Sequence, residues 1–153
     1  MNIKAVAAVV AVFSLVGSAA LAKAPAKAMI VTPAADLKWT PLMPGNDAGP
    51  QVAFVKGDPK KGPVAMFMKF PKGFNSGVHT HSSDYEASVI EGSPIHGAEG
   101  EEDAKAMGPG SFFAQPGKVA HFDKCDSDGG CMIFVRFDGK FDFQPVNKPA
   151  PKK

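Results

Sequence analysis

The sequence predicts an all-β domain with little helix, and three observations carry that expectation. Short runs of β-favouring residues at 51–55, 64–70, 85–90, 111–114 and 132–137 are separated by turn clusters such as Gly57-Asp58-Pro59, Pro71-Lys72-Gly73 and Gly108-Pro109-Gly110. The 153 residues include 16 glycines and 14 prolines, residues that punctuate strands rather than continue helices. No stretch sustains a long amphipathic helical period. Evenly spaced short strands of this kind build an antiparallel sandwich or barrel.

The chain divides into four segments. Residues 1–22 read as a secretory signal: Lys4 is a small positive start, an apolar run of about a dozen residues follows, and Ala20-Leu21-Ala22 is a small-x-small cleavage site. That run is shorter than the roughly 20 residues a membrane-spanning helix needs. Residues 23–36, rich in Ala, Lys and Pro, read as a linker or N-terminal arm. The folded domain is expected over 37–145, and 146–153 as a Pro/Lys-rich tail. These readings place the mature domain in the periplasm or outside the cell, with no membrane segment once the signal is cleaved.

A net charge of +2 leaves no basic field for nucleic acid. In an oxidising compartment Cys125 and Cys131 are expected to form a disulfide. They flank Asp126-Ser127-Asp128-Gly129-Gly130, a turn-forming stretch that suits a hairpin fixed by the bridge. The acidic stretch at 98–105 lies between strand-like runs and reads as a solvated loop.

The four histidines, His79, His81, His96 and His121, all fall in one central block. On a strand, positions i and i+2 share a face, so His79 and His81 are able to reach one atom, which a helix would not allow. Imidazole is the commonest protein ligand for divalent transition metals. A third ligand from a distant strand, His121, would complete a facial site. His96, beside Pro94 and Gly97, reads as a loop histidine with a smaller claim as ligand.

At these residues the chain resembles the cupin superfamily. Gly73, five residues, His79-Thr-His81 and then Gly92 match the first motif of that superfamily, and Gly110, Pro116 and His121 match the second. The likeness extends through Leu37-Lys-Trp39 and Gly139-Lys-Phe-Asp-Phe143 to a small bacterial subgroup without an assigned function. The resemblance implies a single cupin domain, a small antiparallel β-barrel or jelly roll. It also implies one divalent transition metal (Fe, Mn, Zn, Ni or Cu) on His79, His81, His121 and an acid, a small-molecule ligand or substrate, and a homodimer formed through residues 37–42.

Two positions depart from the motifs. The acid falls four residues after His81, where this chain has Tyr85, with Glu86 one residue later. Because side chains alternate along a strand, Glu86 reaches the metal only if a bulge restores it, and otherwise Tyr85 faces inward. Glu86 and Tyr85 are therefore the paired candidates for fourth ligand or proton carrier. Lys118 stands where the second motif has glycine. Phe67, Phe112, Phe113, Phe134 and Phe137 are expected either to wall the pocket or simply to fill the core. The functional readings are a dioxygenase-like or isomerase-like metalloenzyme, a non-catalytic small-ligand or metal-binding cupin, or a purely structural barrel.

Overall fold

In the computed structural model, residues 28–146 are described. The signal expected at 1–22 and the tail beyond 146 lie outside the described residues. All elements fall in the unit that begins at Val31. After one 3-10 turn at Ala34–Asp36 come β1 (Thr40–Pro41), β2 (Gln51–Gly57), β3 (Val64–Phe70), β4 (Phe74–Asn75), β5 (His79–Thr80) and β6 (Tyr85–Glu91). They are followed by β7 (Ile95–Ala98), β8 (Phe112–Gln115), β9 (His121–Cys125), β10 (Cys131–Phe137) and β11 (Gln144–Pro145). The all-β expectation holds, and each of the five predicted runs coincides with a strand.

Strand alternation decides the core. In β6 and β10 every second residue is buried: Tyr85, Ala87 and Val89 on one, Cys131, Ile133, Val135 and Phe137 on the other. Their partners on the opposite face are polar or packed at the surface, as the two-residue period of a half-buried strand requires. Phe137 is 1% exposed, and burying a side chain of that size contributes about 1.5–3 kcal/mol.

The strands form two antiparallel sheets. One runs β1-β2-β3-β10-β6-β8, and the other runs β11-β5-β9-β4 with β7 paired to the remaining edge of β9. Core residues from both sheets, including Met66, Tyr85 and Cys125, pack between them. This is a jelly-roll arrangement whose second sheet has β9 at its centre. β9 itself was not among the predicted runs, because His121, Asp123 and Lys124 give it no apolar alternation.

Cys125 and Cys131 form a disulfide with Cα atoms 6.0 Å apart. The expected hairpin is not what it fixes. Cys125 ends β9 in one sheet and Cys131 begins β10 in the other, so the bridge staples the two sheets where the chain crosses between them. Turn residues 126–130 bend the chain sharply enough for that crossing, and Gly130 takes a φ of +77° with its amide donated to Ser127. With a sequence separation of 6, loop closure predicts about 2 kcal/mol of stabilisation. The double variant Cys125→Ser/Cys131→Ser is expected to lose about that much in urea unfolding, and an unchanged midpoint would show that the crossing needs no staple.

Candidate metal centre

Three of the four histidines converge because β5 and β9 are neighbours in register. His79 lies directly opposite His121, and His81 follows two residues after His79 on the same side. All three are buried, and one ring nitrogen of each lies within 4.8 Å of those of the other two. The i, i+2 reasoning for His79 and His81 is thus realised in space, with Thr80 turned the other way.

Backbone carbonyls set the tautomers. His79 Nδ1 faces the Gly77 carbonyl at 3.1 Å, His121 Nδ1 faces that of Val119 at 2.9 Å, and His81 Nδ1 faces that of Asp142. A carbonyl only accepts, so each Nδ1 carries the proton and donates it, and each Nε2 keeps its lone pair. Burial lowers all three imidazoles below their ordinary pKa, outweighing the carbonyl bonds that raise it. Neutral rings with a fixed Nε2 lone pair are what a transition metal requires of histidine.

His81 is anchored from far along the chain. The Asp142 carboxylate accepts from the Ser82 amide at 2.8 Å and from the Ser82 hydroxyl, while Gln144 donates to it at 3.1 Å. Burial works against its charge, but those bonds, with Lys140 beside it, hold the carboxyl well below the usual carboxylate range. The segment after β10 therefore pins both the backbone and the ring at His81.

On β6 the structure decides between Tyr85 and Glu86. Tyr85 is buried, and its hydroxyl donates to His121 Nε2 at 3.2 Å. Burial, with the Asp123 carboxylate nearby, raises the phenol far above its ordinary range, so it keeps its proton. Glu86 points outward, 56% exposed, with Arg136 3.8 Å away. The expected Glu86 ligand is corrected on this ground: no bulge falls between Tyr85 and Glu86, whose partners on β10 and β8 run in unbroken register, so alternation turns Glu86 away.

Three residues near the cluster were not singled out by sequence reasoning in these roles. Asp123 lies two residues after His121 and directly opposite His96 on β7. Its Oδ1 accepts from His96 Nδ1 at 2.9 Å, and its Oδ2 lies 3.7 Å from His79 Nε2. His96 Nε2 faces the Gln115 side-chain oxygen at 3.0 Å. His96 is thus a strand residue rather than a loop one, held by two partners. The signal that would have found Asp123 is the same i, i+2 rule applied forward from His121.

A family model described as "Domain of unknown function (DUF4437)" matches residues 22–144. The chain belongs to that family. Among solved structures it is similar to the polyketide cyclase RemF from Streptomyces resistomycificus, at 16% identity and a TM-score of 0.65, covering 80% of this chain and 89% of that one. It is similar to KdgF from Halomonas sp., at 20% identity and a TM-score of 0.56, covering 72% and 94%. An RmlC-like cupin from Shewanella frigidimarina NCIMB 400 also matches at 20% identity and a TM-score of 0.56, covering 70% and 88%. These likenesses establish the cupin fold. No curated protein sequence matches the chain.

The motif glycines of this DUF4437 cupin are explained by backbone geometry. Gly73, Gly92 and Gly110 have φ of +78°, +74° and +86°, the left-handed region that side chains disfavour. Lys118, in the place of a motif glycine, holds the same conformation at φ +64°. Its amide donates to the His81 carbonyl at 2.7 Å, so the turn presenting His121 is retained at the cost of strain.

Beside the histidines is a cavity of about 40 Å³, lined by His79, His81, Tyr85, Asp123 and Phe137 among others, which is room for an ion with a water or two. Leu42, Phe74, Ser76, Phe141 and Phe143 wall both this cavity and an outer cleft of about 770 Å³. That volume is in the range of small-molecule sites, and among the described residues no charged side chain lines the cleft. Of the five phenylalanines expected near the pocket only Phe137 reaches the cavity. Phe67 and Phe134 pack on each other across the outer face, Phe113 stacks on His96, and Phe112 is exposed. The aromatic wall comes instead from Phe74, Phe141 and Phe143, in segments too short or irregular to read as strands. Replacing the strained Lys118 by glycine is expected to stabilise the domain by about 1 kcal/mol, and a destabilised Lys118→Gly variant in thermal or urea unfolding would show that the turn is not under strain.

Proposed function

We propose that this protein is an exported, metal-dependent cupin acting on a small molecule, with one divalent transition metal (Fe, Mn, Zn, Ni or Cu) held by His79, His81 and His121. The observation that carries the reading is the convergence of three neutral imidazoles, each with its Nδ1–H given to a carbonyl; a metal would take the Nε2 lone pairs of His79 and His81 directly and that of His121 in place of the Tyr85 hydroxyl that donates to it here. A metal there would supply Lewis-acid or redox chemistry of the dioxygenase-like or isomerase-like kind. Tyr85 keeps its proton at its phenol oxygen beside that centre and would serve there as a hydrogen-bond donor rather than as a proton carrier; Glu86 has no part in it. The uncharged outer cleft supports a ligand with an apolar body, admitted past Phe74, Phe141 and Phe143 and kept from water by them.

A non-catalytic metal-binding protein is the second reading, favoured by one observation. The cavity beside the histidines has no room for an organic substrate unless the aromatic wall moves. Export is supported by the disulfide, a bond of oxidising compartments. Among the described residues no helix is long and apolar enough to cross a membrane.

The test is elemental mass spectrometry on protein recovered from the periplasm, with N-terminal sequencing expected to start near Lys23. One equivalent of metal per chain is expected, lost in His81→Ala and in His121→Ala and retained in Glu86→Gln. Wild-type protein that takes up no Fe(II), Mn(II) or Zn(II) on reconstitution would overturn the reading. Light scattering on the same sample is expected to give a dimer mass, with residues 37–42, whose β1 is an edge strand, as the pairing segment; a monomer mass at high concentration ends that part of the proposal.

A further inference from the structure

The cavity beside the histidines has room for an ion and water, and the outer cleft has the volume of a small-molecule site. A substrate held in the cleft meets the centre only if part of the wall between the two moves. We propose that Phe143 is that part, a gate whose ring swings off His79 so that a flat, uncharged ring of the substrate takes its place. The inference deepens the reading of His79, His81 and His121 as a metal centre acting on a small molecule, and rests on it.

Five residues wall both volumes, and packing separates Phe143 from the other four. Leu42, Phe74 and Phe141 pack against the hydrophobic core. Phe74 also stacks on Phe70 with ring centroids 4.7 Å apart, and Phe141 meets Phe137 edge-on at 5.3 Å. The Ser76 hydroxyl accepts from the Asp123 amide and donates to the Gly77 carbonyl, each at 2.8 Å. Phe143 stands outside the core cluster: it is 44% exposed, and among the described residues its aromatic contacts are with His79 and His81. An exposed side chain changes rotamer within picoseconds to nanoseconds, whereas a packed ring has to displace its neighbours first.

The backbone on either side stays in place. The Asp142 carbonyl accepts from His81, and the Asp142 carboxylate accepts from the Ser82 amide at 2.8 Å. Gln144 and Pro145 pair with Thr80 and His79, and the Val146 amide donates to the Val78 carbonyl at 2.9 Å. A swing of the whole segment would break those bonds and leave polar groups unpaired. Rotation about the Phe143 side-chain bonds breaks none of them.

What the ring uncovers sets the class of ligand. Phe143 lies nearly parallel to the His79 imidazole, with centroids 4.3 Å and planes 23° apart, and His79 is 2% exposed. Lifting the phenyl ring bares one face of that imidazole and leaves a slot the thickness of an aromatic ring. The slot opens to the cleft, because Phe143 lines both volumes. A planar ring restores the stacking contact that Phe143 made, and a branched aliphatic group does not. Among the described residues no charged side chain lines the cleft, which disfavours a charged body there. Phe143 is thus an intramolecular competitor for the place the ligand's ring occupies.

Two probes that share one metal-binding head test this: benzohydroxamic acid carries a phenyl ring and acetohydroxamic acid a methyl group. Each is titrated into Co(II)-loaded protein and followed by the visible cobalt bands. Phe143→Ala is expected to bind benzohydroxamic acid about tenfold tighter than wild type, the factor one ring stack supplies, with acetohydroxamic acid unchanged. Phe143→Tyr keeps the flat ring and is expected to behave as wild type. Phe143→Leu fills space without a flat face and is expected to shift in the same direction as Phe143→Ala; it takes over the test if the alanine variant fails to fold. Unchanged or weaker binding of benzohydroxamic acid overturns the inference. So does a gain shared equally by both acids, which marks a general loosening around His79. Wild-type protein that takes up no Co(II) fails the histidine reading itself and takes this inference with it.

Discussion

The donation of three imidazole protons to three backbone carbonyls is the interaction on which the rest of the centre depends. Without those bonds each ring would be free to flip or to change tautomer, and buried imidazoles would have no reason to turn their lone pairs to one point. Two of the carbonyls, of Gly77 and Val119, belong to residues two positions before their histidines, so His79 and His121 are oriented by their own turns. The third comes from Asp142, 61 residues beyond His81. The centre is thereby complete only when the segment after β10 has closed over it.

That dependence explains why so much polar structure is gathered around one strand. β9 sits at the middle of its sheet, yet its inward face carries His121 and Asp123 where apolar side chains would stabilise more. Buried polar groups are costly unless they are hydrogen-bonded, and among the described residues no buried side-chain nitrogen or oxygen lacks a partner. The surrounding structure compensates on the other side of the core. Tyr85, Phe137 and the aliphatic residues of β3 and β10 form the apolar floor, and the Cys125–Cys131 bridge ties the polar sheet to the apolar one. Lys118, strained at the turn before His121, shows that the position of His121 is maintained even where the local sequence disfavours it.

The aromatic wall separates two volumes of different use. The inner one has the volume of an ion with a water or two, and the outer one has the volume of a small-molecule site with no charged side chain among the described residues that line it. Phe141 and Phe143 flank Asp142, whose carbonyl orients His81 and whose side chain anchors Ser82. A displacement of that segment to admit a ligand would therefore be felt at the His81 ring, which couples occupancy of the cleft to the geometry of the centre.

The sequence by itself determined the fold class, the glycine and histidine motifs, the cysteine pair and the common face of His79 and His81. All of these follow from local rules: strand period, turn chemistry and residue type. It narrowed the acid to Tyr85 or Glu86 but could not choose, because a single bulge inverts every side chain of a strand. Tertiary structure decided that question through the regular register of β6 at Tyr85 and Glu86, its one irregularity lying beyond Val89. It also decided what no local rule reaches: that the disulfide joins two sheets, that Phe74, Phe141 and Phe143 join Phe137 in walling the cavity while Phe67, Phe112, Phe113 and Phe134 do not, and that His96 and Asp123 meet. β9 escaped detection because hydrophobic alternation marks a strand only when its inner face is apolar, and here that face is given over to His121 and Asp123.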